Sequence, residues 1–449
     1  MGKLFGTDGI RGIANAYPIT AEIAMKVGSA VASVLRNNTH HPKILIGKDT
    51  RLSGYMLEYA MTSGICSMGV DVFLVGPLPT PGIAFITRDM RADAGIVISA
   101  SHNPYEYNGI KIFGSDGYKL PDEIEEKLEN IVLNFGSIAF ASFDHIGRAK
   151  RIEDVQGRYI VFLKHTFPSE LSLEGLKLVV DCAHGASYRV APLVFQELGA
   201  TVIATGVQPD GRNINDRCGA LFPEHMAELV RQHGADAGIA FDGDADRVIM
   251  ADEKGNILDG DFLMAICAEQ MIREDKLPNR TVVATVMSNL GLEKALNAME
   301  ARLVRTPVGD RYVVEEMRKH GYKLGGEQSG HIVFLDYNTT GDGILSALQV
   351  LSIMLKREKP LSELGQIMEK FPQKLVNVPI PYGKKLLDSP GIQEHIARLE
   401  KRLGNEGRLL IRASGTEPVV RVMVEASRED LIEETIEEAV NFIKKYLNS

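Results

Sequence analysis

Three aspartates within five residues are the clearest chemical feature of this sequence. Asp242, Asp244 and Asp246 alternate directly after the apolar run 238–241. Carboxylates so close in sequence repel one another unless a cation lies among them, and a ligand set made only of oxygen suits Mg²⁺ or Ca²⁺. A solvated acidic loop is the plain structural alternative. Together with the motifs below, the spacing predicts a Mg²⁺ site.

A calcium-binding hand is a second alternative for the same segment. The three aspartates and Glu253 occupy positions 1, 3, 5 and 12 of such a loop, but position 6 is Arg247, where the sharp turn needs a glycine. Residues 248–251 are typical of a strand and 252–255 of a hairpin turn. The flanking helices of a calcium hand are therefore not expected, and Mg²⁺ is favoured.

A serine follows the apolar run 95–98, where the chain breaks into Asn103-Pro104. We expect Ser101 on a loop at the end of a strand, with an exposed hydroxyl. His102 is adjacent, which raises the possibility of a Ser-His hydrolase. Successive side chains of extended backbone point to opposite faces, however, and the sequence holds no Gly-x-Ser-x-Gly turn. A phosphorylated Ser101, whose negative charge Mg²⁺ would partly offset, is the better hypothesis.

A glycine between two hydroxyl side chains near the C-terminus is typical of an anion-binding loop. Backbone N–H groups and hydroxyls of such a loop can donate to a phosphate, and arginines add forked cationic donors. The candidate donors are Arg412, Ser414, Gly415, Thr416 and Arg421. An ordinary turn before the strand 419–424 fits this segment equally well.

Other polar residues are candidate functional residues only because of the sequence segments in which they lie. The glycine-rich segment 325–331 predicts a mobile loop that could recognise a polyhydroxylated ligand, although a surface turn fits as well. Its polar side chains are Glu327, Gln328, Ser329 and His331. Lys111 alternates with apolar neighbours, which favours a solvent-facing side chain on a strand. For Arg11, in the polar segment 5–12, a solvent-facing side chain is likewise favoured.

Composition describes an ordinary soluble globular protein. The chain has 449 residues, of which 45% are hydrophobic and 24% charged. Its net charge of −9 argues against nucleic acid as a partner, and no apolar stretch approaches the ~18 residues that cross a bilayer. The four cysteines form no Cys-x-x-Cys pair, and the N-terminus lacks an apolar signal core. We therefore expect a reducing, cytoplasmic location and no membrane partner.

Short apolar runs alternate with helical patterns over most of the chain, which predicts an α/β fold. Runs at 43–47, 176–180 and 281–285 each enter a polar or glycine-bearing turn and then a helix. This recurrence predicts three similar mixed α/β domains, followed by a smaller α+β domain that runs strand, strand, helix. The expected domains are 1–150, 151–256, 257–371 and 372–449.

The motifs, taken together and in this order, resemble those of the α-D-phosphohexomutase superfamily. The similar segments are its phosphoserine loop (99–104), metal loop (242–247), sugar-recognition loop (325–331) and phosphate loop (412–418). Four finer segments resemble the phosphoglucosamine mutase family of that superfamily, namely 5–12, 181–185, 306–310 and 326–330.

This resemblance implies domains arranged around a central cleft. It implies interconversion of glucosamine 6-phosphate and glucosamine 1-phosphate, a step toward UDP-N-acetylglucosamine, through phospho-Ser101 and a glucosamine 1,6-bisphosphate. One Mg²⁺ ion would be held by Ser101 and the three aspartates, and the protein would be a homodimer. The implied catalytic side chains, besides Ser101, are those of Arg11, His102, Lys111, Arg247 and His331. Glu327, Ser329 and the 412–421 donors would bind the sugar phosphate.

Two alternatives stay open from the sequence. One is a phosphomannomutase or phosphoglucomutase of the same superfamily, which differs in the sugar. The other is a protein that binds Ca²⁺ or a sugar phosphate without turnover. Ser101 favours an enzyme, because a binding module has no use for an exposed serine beside a metal loop. The sequence does not identify the general base.

Overall fold

The chain folds into two compact units. A computed structural model describes residues 4–6, 8–35, 41–379, 389–413 and 419–447. The first unit consists of Met1–Thr285 and Val304–Gln366, and the second of Val286–Leu303 and Ile367–Ser449. Within the described ranges, no helix is both long and apolar enough to cross a membrane.

The first sheet of the first unit is mixed and carries the loop of Ser101. Its strands are β1 (Ile10–Ile13), β2 (Lys43–Lys48), β3 (Asp71–Pro77), β4 (Ala94–Ile98), β5 (Tyr107–Gly114) and β6 (Ala149–Arg151). They lie in the order β1-β5-β4-β2-β3-β6, and β5 is antiparallel to both of its neighbours. The helices of this region are α1 (Ala21–Leu35), α2 (Leu52–Ser67), α3 (Thr80–Asp89) and α4 (Asp122–Leu133).

The second sheet carries the aspartate triplet and is again mixed. Its strands are β7 (Lys177–Asp181), β8 (Thr201–Thr205), β9 (Ala237–Phe241), β10 (Val248–Asp252) and β11 (Ile257–Leu258), in the order β11-β10-β9-β7-β8. Strand β7 is parallel to β8 and β9, and β10 is antiparallel to β9. The helices of this region are α5 (Val155–His165), α6 (Val190–Glu197) and α7 (Pro223–His233).

The third sheet has the order β13-β12-β14-β15. Its strands are β12 (Thr281–Thr285), β13 (Arg302–Thr306), β14 (Leu324–Gly326) and β15 (Ile332–Phe334). Its helices are α8 (Gly260–Arg273), α10 (Asp310–His320), α11 (Gly343–Arg357) and α12 (Leu361–Leu364), whereas α9 (Leu290–Ala298) belongs to the second unit. Short 3₁₀ turns lie at Phe135–Ser137, Phe143–His145, Gly219–Leu221, Pro278–Arg280 and Gly365–Ile367.

The second unit is built on an antiparallel sheet of order β16-β18-β17. Its elements after α9 are β16 (Gln373–Pro379), α13 (Pro390–Leu403), β17 (Gly407–Ala413), β18 (Val419–Ala426) and α14 (Glu429–Leu447). The predicted order of strand, strand, helix was therefore incomplete, because β16 and α13 precede it. Apolar side chains of the strands and both of these helices form its core, including Val422, Leu399 and Ile436.

The predicted α/β fold with a smaller C-terminal α+β part is confirmed, and the core explains why the pattern was readable. Strand β4 is buried along its whole length, since it lies inside the mixed sheet between β5 and β2. Its apolar residues Ile96 and Ile98 pack with Ile44 and Ile46 of the parallel neighbour β2. Because carboxyl ends of parallel strands meet at one edge, the loops after β2 and β4 lie together.

Candidate functional site

Ser101 lies on the loop that leaves β4, and its side chain is buried rather than exposed. Only 1% of the residue is accessible, and its backbone φ is +51°, in the left-handed region. This conformation turns the hydroxyl inward, where Oγ donates a hydrogen bond of 2.6 Å to Oδ2 of Asp242. The predicted exposed serine was wrong, because the expectation assumed ordinary backbone at the end of a strand.

The left-handed turn also brings His102 closer to Ser101 than an extended backbone allows. Oγ of Ser101 and Nδ1 of His102 are 3.4 Å apart, so the prediction that they point to opposite faces was wrong. The contact is long for a hydrogen bond, and the short one goes to Asp242. Burial and the charges of Arg247 and Arg11 lower the pKa of His102 to about 3. His102 is therefore neutral at physiological pH.

The three aspartates form one buried cluster in the turn between β9 and β10. One carboxylate oxygen from each of Asp242, Asp244 and Asp246 lies within 4.8 Å of the others. Burial and then the charges of Asp246 and Asp244 raise the pKa of Asp242 well above its ordinary value. Oδ1 of Asp244 and Oδ1 of Asp246 accept no hydrogen bond from any residue that the structure describes. Buried, unsatisfied carboxylate oxygens are the donor set that a hard cation needs.

The surroundings of this cluster are not those of a calcium hand. The segment after it is the β10–β11 hairpin, as the sequence predicted, and not a helix. Glu253 accepts a hydrogen bond of 3.2 Å from the backbone N–H of Ser362. Its carboxylate is thus engaged with α12 and is not a fourth ligand of the cluster.

Lys111 is buried against the aspartates, so the prediction of a solvent-facing side chain was wrong. Its Nζ lies 3.1 Å from Oδ2 of Asp244, 3.3 Å from Oδ2 of Asp246 and 3.5 Å from Oδ2 of Asp8. Burial alone would lower the pKa of Lys111, but these three carboxylates raise it above its usual range. The turn of Asp242, Asp244 and Asp246 covers this face of β5, which periodicity alone cannot reveal. Lys111 therefore stays a cation.

Charged residues continue from the first sheet to the third. Asp8 is paired with Arg11 and with Lys119, and Nζ of Lys119 lies 2.6 Å from Oδ2 of Asp310 at the start of α10. Nε2 of His331 lies 3.4 Å from the same Asp310 oxygen. Asp8, Lys119 and Asp310 were not singled out from the sequence. Asp8 and Asp310 lie in the named segments 5–12 and 306–310, whereas Lys119 lies in none.

Arg247 links the aspartates to the segment that holds His331. Its backbone N–H donates to Oδ1 of Asp242 at 3.2 Å, and its backbone bridges to His331. Burial would lower the pKa of Arg247, but Asp246, Asp242 and Glu327 raise it. His331 is buried, and neither ring nitrogen has a hydrogen-bond partner within the described ranges.

The predicted loop 325–331 is shorter than expected. Gly325 and Gly326 belong to β14, so the turn begins at Glu327. Oε1 of Glu327 accepts from the backbone N–H of Gly309 at 3.3 Å, which fixes one side of the carboxylate. Ser329 is exposed at the tip of the turn.

Two arginines of the predicted phosphate loop face each other across a strand pair in the second unit. Arg412 of β17 and Arg421 of β18 are direct cross-strand partners. Burial and then the charge of Arg421 lower the pKa of Arg412. Like charges opposite each other destabilise a sheet, and an anion between them removes that cost. Ser414, Gly415 and Thr416 lie outside the described residues.

The sequence matches the phosphoglucomutase/phosphomannomutase family along nearly its whole length. The matches are to alpha/beta/alpha domain I over 2–137, domain II over 157–255, domain III over 259–371 and the C-terminal domain over 375–442. Among solved structures, a phosphoglucomutase/phosphomannomutase family protein from Burkholderia thailandensis is similar with a TM-score of 0.80 and 23% identity, over 98% of this chain and 97% of that one. The N-acetylphosphoglucosamine mutase of Aspergillus fumigatus, in complex with GlcNAc-6P and magnesium, has a TM-score of 0.67 and 18% identity, over 100% and 96%. These structures share the fold.

Relatives with higher sequence identity assign the chain to one family within this superfamily. The phosphoglucosamine mutase of Anaeromyxobacter dehalogenans is 60% identical over 432 residues, which cover 94% of each chain. That of Desulfotalea psychrophila is 58% identical over 450 residues and covers 100% of both. The chain therefore belongs to the phosphoglucosamine mutase family of the α-D-phosphohexomutase superfamily.

Proposed function

We propose that this protein interconverts glucosamine 6-phosphate and glucosamine 1-phosphate, with Ser101 as the phosphoryl carrier. As a phosphoglucosamine mutase it is an isomerase, an intramolecular phosphotransferase. The observation that carries the assignment of Ser101 is its 2.6 Å hydrogen bond to Asp242, inside a buried cluster with two unsatisfied carboxylate oxygens. A nucleophilic hydroxyl held beside a hard-cation site is the arrangement that phosphoryl transfer requires.

The reaction consists of two phosphoryl transfers, the first from Ser101 to the sugar and the second from the sugar to Ser101. In the first, the bond between phosphorus and Oγ of phospho-Ser101 breaks as phosphorus bonds to O1 of glucosamine 6-phosphate. The O1 hydroxyl loses its proton to a base, and the leaving Oγ takes up a proton. The resulting glucosamine 1,6-bisphosphate then reorients in the site. In the second, the bond between O6 and phosphorus breaks as phosphorus bonds to Oγ, which loses its proton, and O6 takes up a proton. The product is glucosamine 1-phosphate with phospho-Ser101 restored.

The aspartate cluster would hold one Mg²⁺ ion together with the phosphate on Ser101. When bound, the ion supplies positive charge that offsets the charge of the transferring phosphoryl group. The magnesium in the Aspergillus complex supports the choice of ion. A hard divalent cation also fits the two unsatisfied oxygens of Asp244 and Asp246.

The cationic side chains around the cluster have different roles. Lys111 and Arg247, whose pKa values the carboxylates hold high, stay charged and stabilise developing negative charge. Arg11 supports the loop that carries Ser101, since its Nη1 lies 3.2 Å from Oδ1 of Asn103. With the pKa of His102 near 3, that imidazole is a weak proton acceptor. We assign proton transfer to His331, whose Nε2 lies 3.4 Å from Oδ2 of Asp310.

Substrate recognition involves the remaining candidates. Arg412 and Arg421 bind a phosphate of the substrate, with Ser414, Gly415 and Thr416 as further donors. Glu327 and Ser329 bind sugar hydroxyl or amino groups. The cross-strand arginine pair is the observation that supports an anion in the second unit.

We also propose a homodimer in the cytoplasm. Leu52, Tyr55 and Tyr59 recur at helical spacing on α2 and are all at least 47% exposed, which suits a protein contact. A change of Tyr59→Glu should shift the molar mass from dimer to monomer in light scattering. The four cysteines are free thiols, as expected in a reducing compartment.

The decisive experiment compares Ser101→Ala with a matched serine variant. Wild-type protein should gain one phosphoryl group in intact-mass spectra, and Ser101→Ala should show neither the added mass nor turnover of glucosamine 6-phosphate. Ser172→Ala removes an exposed hydroxyl that donates to the Leu198 carbonyl and accepts from the backbone N–H of Glu174, and it should keep both properties. Turnover of glucosamine 6-phosphate by phosphate-free Ser101→Ala protein would refute the assignment of Ser101 as the phosphoryl carrier. Equal kcat/KM on glucose or mannose phosphates would instead favour the phosphoglucomutase or phosphomannomutase alternative.

A further inference from the structure

Arg51 is the largest fully buried side chain of the described structure, and its ion pair is with Asp49 rather than with Asp242, Asp244 or Asp246. Its Nε pairs with Oδ2 of Asp49 at 2.8 Å, directly after β2. Its two terminal nitrogens donate to backbone carbonyls of one segment, residues 99–107, which we name the serine loop. The accepting carbonyls are those of Ser101 at 2.9 Å, Asn103 at 2.7 Å, Tyr107 at 3.1 Å and Pro104.

A second side chain reaches the same carbonyls from the region of the second sheet. Nδ2 of Asn215 donates to the carbonyl of Ser101 at 2.9 Å and to that of Asn103 at 3.1 Å. Asn215 is itself buried and has a φ of +59°, a conformation that asparagine tolerates better than most residues. The carbonyl of Ser101 is therefore held from two sides.

The amide of Ser101 is held as well. Its N–H donates to Oγ of Ser99 at 2.9 Å, and that hydroxyl donates to Oδ2 of Asp49 at 2.6 Å. Asp49 therefore connects the amide side of Ser101 to Arg51, which holds the carbonyl side. Both peptide groups that flank the serine are fixed by one buried network.

This network explains how a non-glycine residue stays at a positive φ. The left-handed conformation is unfavourable for residues with a Cβ, so it persists only where surrounding contacts determine it. At Ser101 it directs Oγ toward Asp242. Gly243 permits the approach, because a Cβ there would lie 2.6 Å from the carbonyl oxygen of Ser101.

We propose that Asp49, Arg51 and Asn215 are positioning residues that hold Ser101 in the orientation needed for phosphoryl transfer. The inference rests on the proposed role of Ser101 as phosphoryl carrier. None of the three contacts the reacting atoms. They determine how often Oγ, or the phosphate on it, is aligned with the substrate hydroxyl, and so they act on the transfer step rather than on substrate affinity.

Two variants test the network from opposite sides. Arg51→Lys keeps a positive charge beside Asp49, but a single ammonium group cannot donate to four carbonyls in a fork. Asn215→Gly accommodates the positive φ without strain and removes the amide donors together with the rest of the side chain. Each should lower the single-turnover rate of transfer from phospho-Ser101 to glucosamine 6-phosphate by about 10- to 100-fold. KM should change by less than about threefold, because substrate contacts are intact.

A matched control separates positioning from stability. Lys48 and Glu58 form another buried ion pair between β2 and α2, and in the described structure this pair makes no side-chain hydrogen bond to the serine loop. Glu58→Gln should lower the unfolding midpoint but leave the single-turnover rate unchanged. A rate loss in Glu58→Gln equal to that of the two test variants would overturn the proposal, as would unchanged rates in Arg51→Lys and Asn215→Gly.

Two further readouts complete the test. Since both side chains hold the same two carbonyls, the rate losses of Arg51→Lys and Asn215→Gly should be less than additive in the double variant. Hydrogen exchange at the Ser101 amide should be faster in Asn215→Gly than in wild type, and unchanged exchange would overturn the proposal. A failure of the proposed function is distinguishable, because it would leave wild-type Ser101 without phosphate while the exchange result stands on its own.

Discussion

Gly341 offers the sharpest test of the role assigned to His331. A Cβ at position 341 would lie 2.5 Å from Nε2 and 2.6 Å from both Cδ2 and Cε1 of His331. Ordinary contacts between such atoms are about 3.5 Å or more, so Gly341→Ala must push the imidazole away by about 1 Å. The variant changes no polar group and no charge. It therefore tests the position of the ring and nothing else.

The expected size of the effect follows from this displacement. Overpacking of a well-filled site costs about 1–3 kcal/mol of folding free energy. A misplacement of about 1 Å in a catalytic group lowers the rate by up to about 100-fold. We expect a lower kcat on glucosamine 6-phosphate in a steady-state coupled assay, with a folded protein in urea denaturation.

A double-variant cycle identifies the cause. In a His331→Ala background the ring is gone, so the added methyl group of Gly341→Ala should have little effect on either stability or residual rate. Gly157→Ala is the matched control, because Gly157 is exposed on α5 with nothing within 4 Å of an added Cβ. It should stabilise by about 0.5–1 kcal/mol and leave kcat unchanged. The reasoning is refuted if Gly341→Ala keeps full kcat, or loses as much in the His331→Ala background as in wild type.

Three further outcomes are expected. Asp244→Asn removes a charge from the aspartate cluster, so activity should need more Mg²⁺ in a titration after chelation; full activity of chelator-treated wild-type protein would contradict the site. Arg421→Ala should lower kcat/KM for both the 6-phosphate and the 1-phosphate. The expected loss is roughly 10- to 150-fold, which corresponds to about 1.5–3 kcal/mol for one charge-assisted contact. Unchanged values would place the phosphate contact elsewhere. Burial raises the pKa of Asp342 from 3.8 to about 6, so the folded protein binds the carboxyl proton more tightly than the unfolded chain does. The free energy of unfolding should therefore fall as pH rises from about 4 to 6, by at most about 3 kcal/mol. Urea unfolding of Asp342→Asn should lack that part of the pH dependence, and identical slopes in the two proteins would contradict it.

Much of the fold was predictable because its signals are local. The β-branched runs that became β2, β7 and β12 are short, apolar and followed by polar turns, and those features depend only on neighbouring residues. The aspartate triplet was equally readable, since its spacing depends only on five neighbouring residues. The C-terminal part was predicted only as strand, strand and helix, so the antiparallel β16 and the α13 helix that precede them were missed.

Residue types and their spacing by themselves determined the α/β class, the position of the aspartate triplet and the candidate serine. Tertiary structure alone decided which way Lys111 faces, that Ser101 is buried at a positive φ, and that Arg51 and Asn215 hold its loop. The physical reason is that periodicity identifies a face of a strand but not what covers it. Lys111 lies more than 130 positions from Asp244, and Asn215 more than 110 from Ser101. Whether such a side chain meets solvent, a carboxylate or a carbonyl is decided only when the sheets pack.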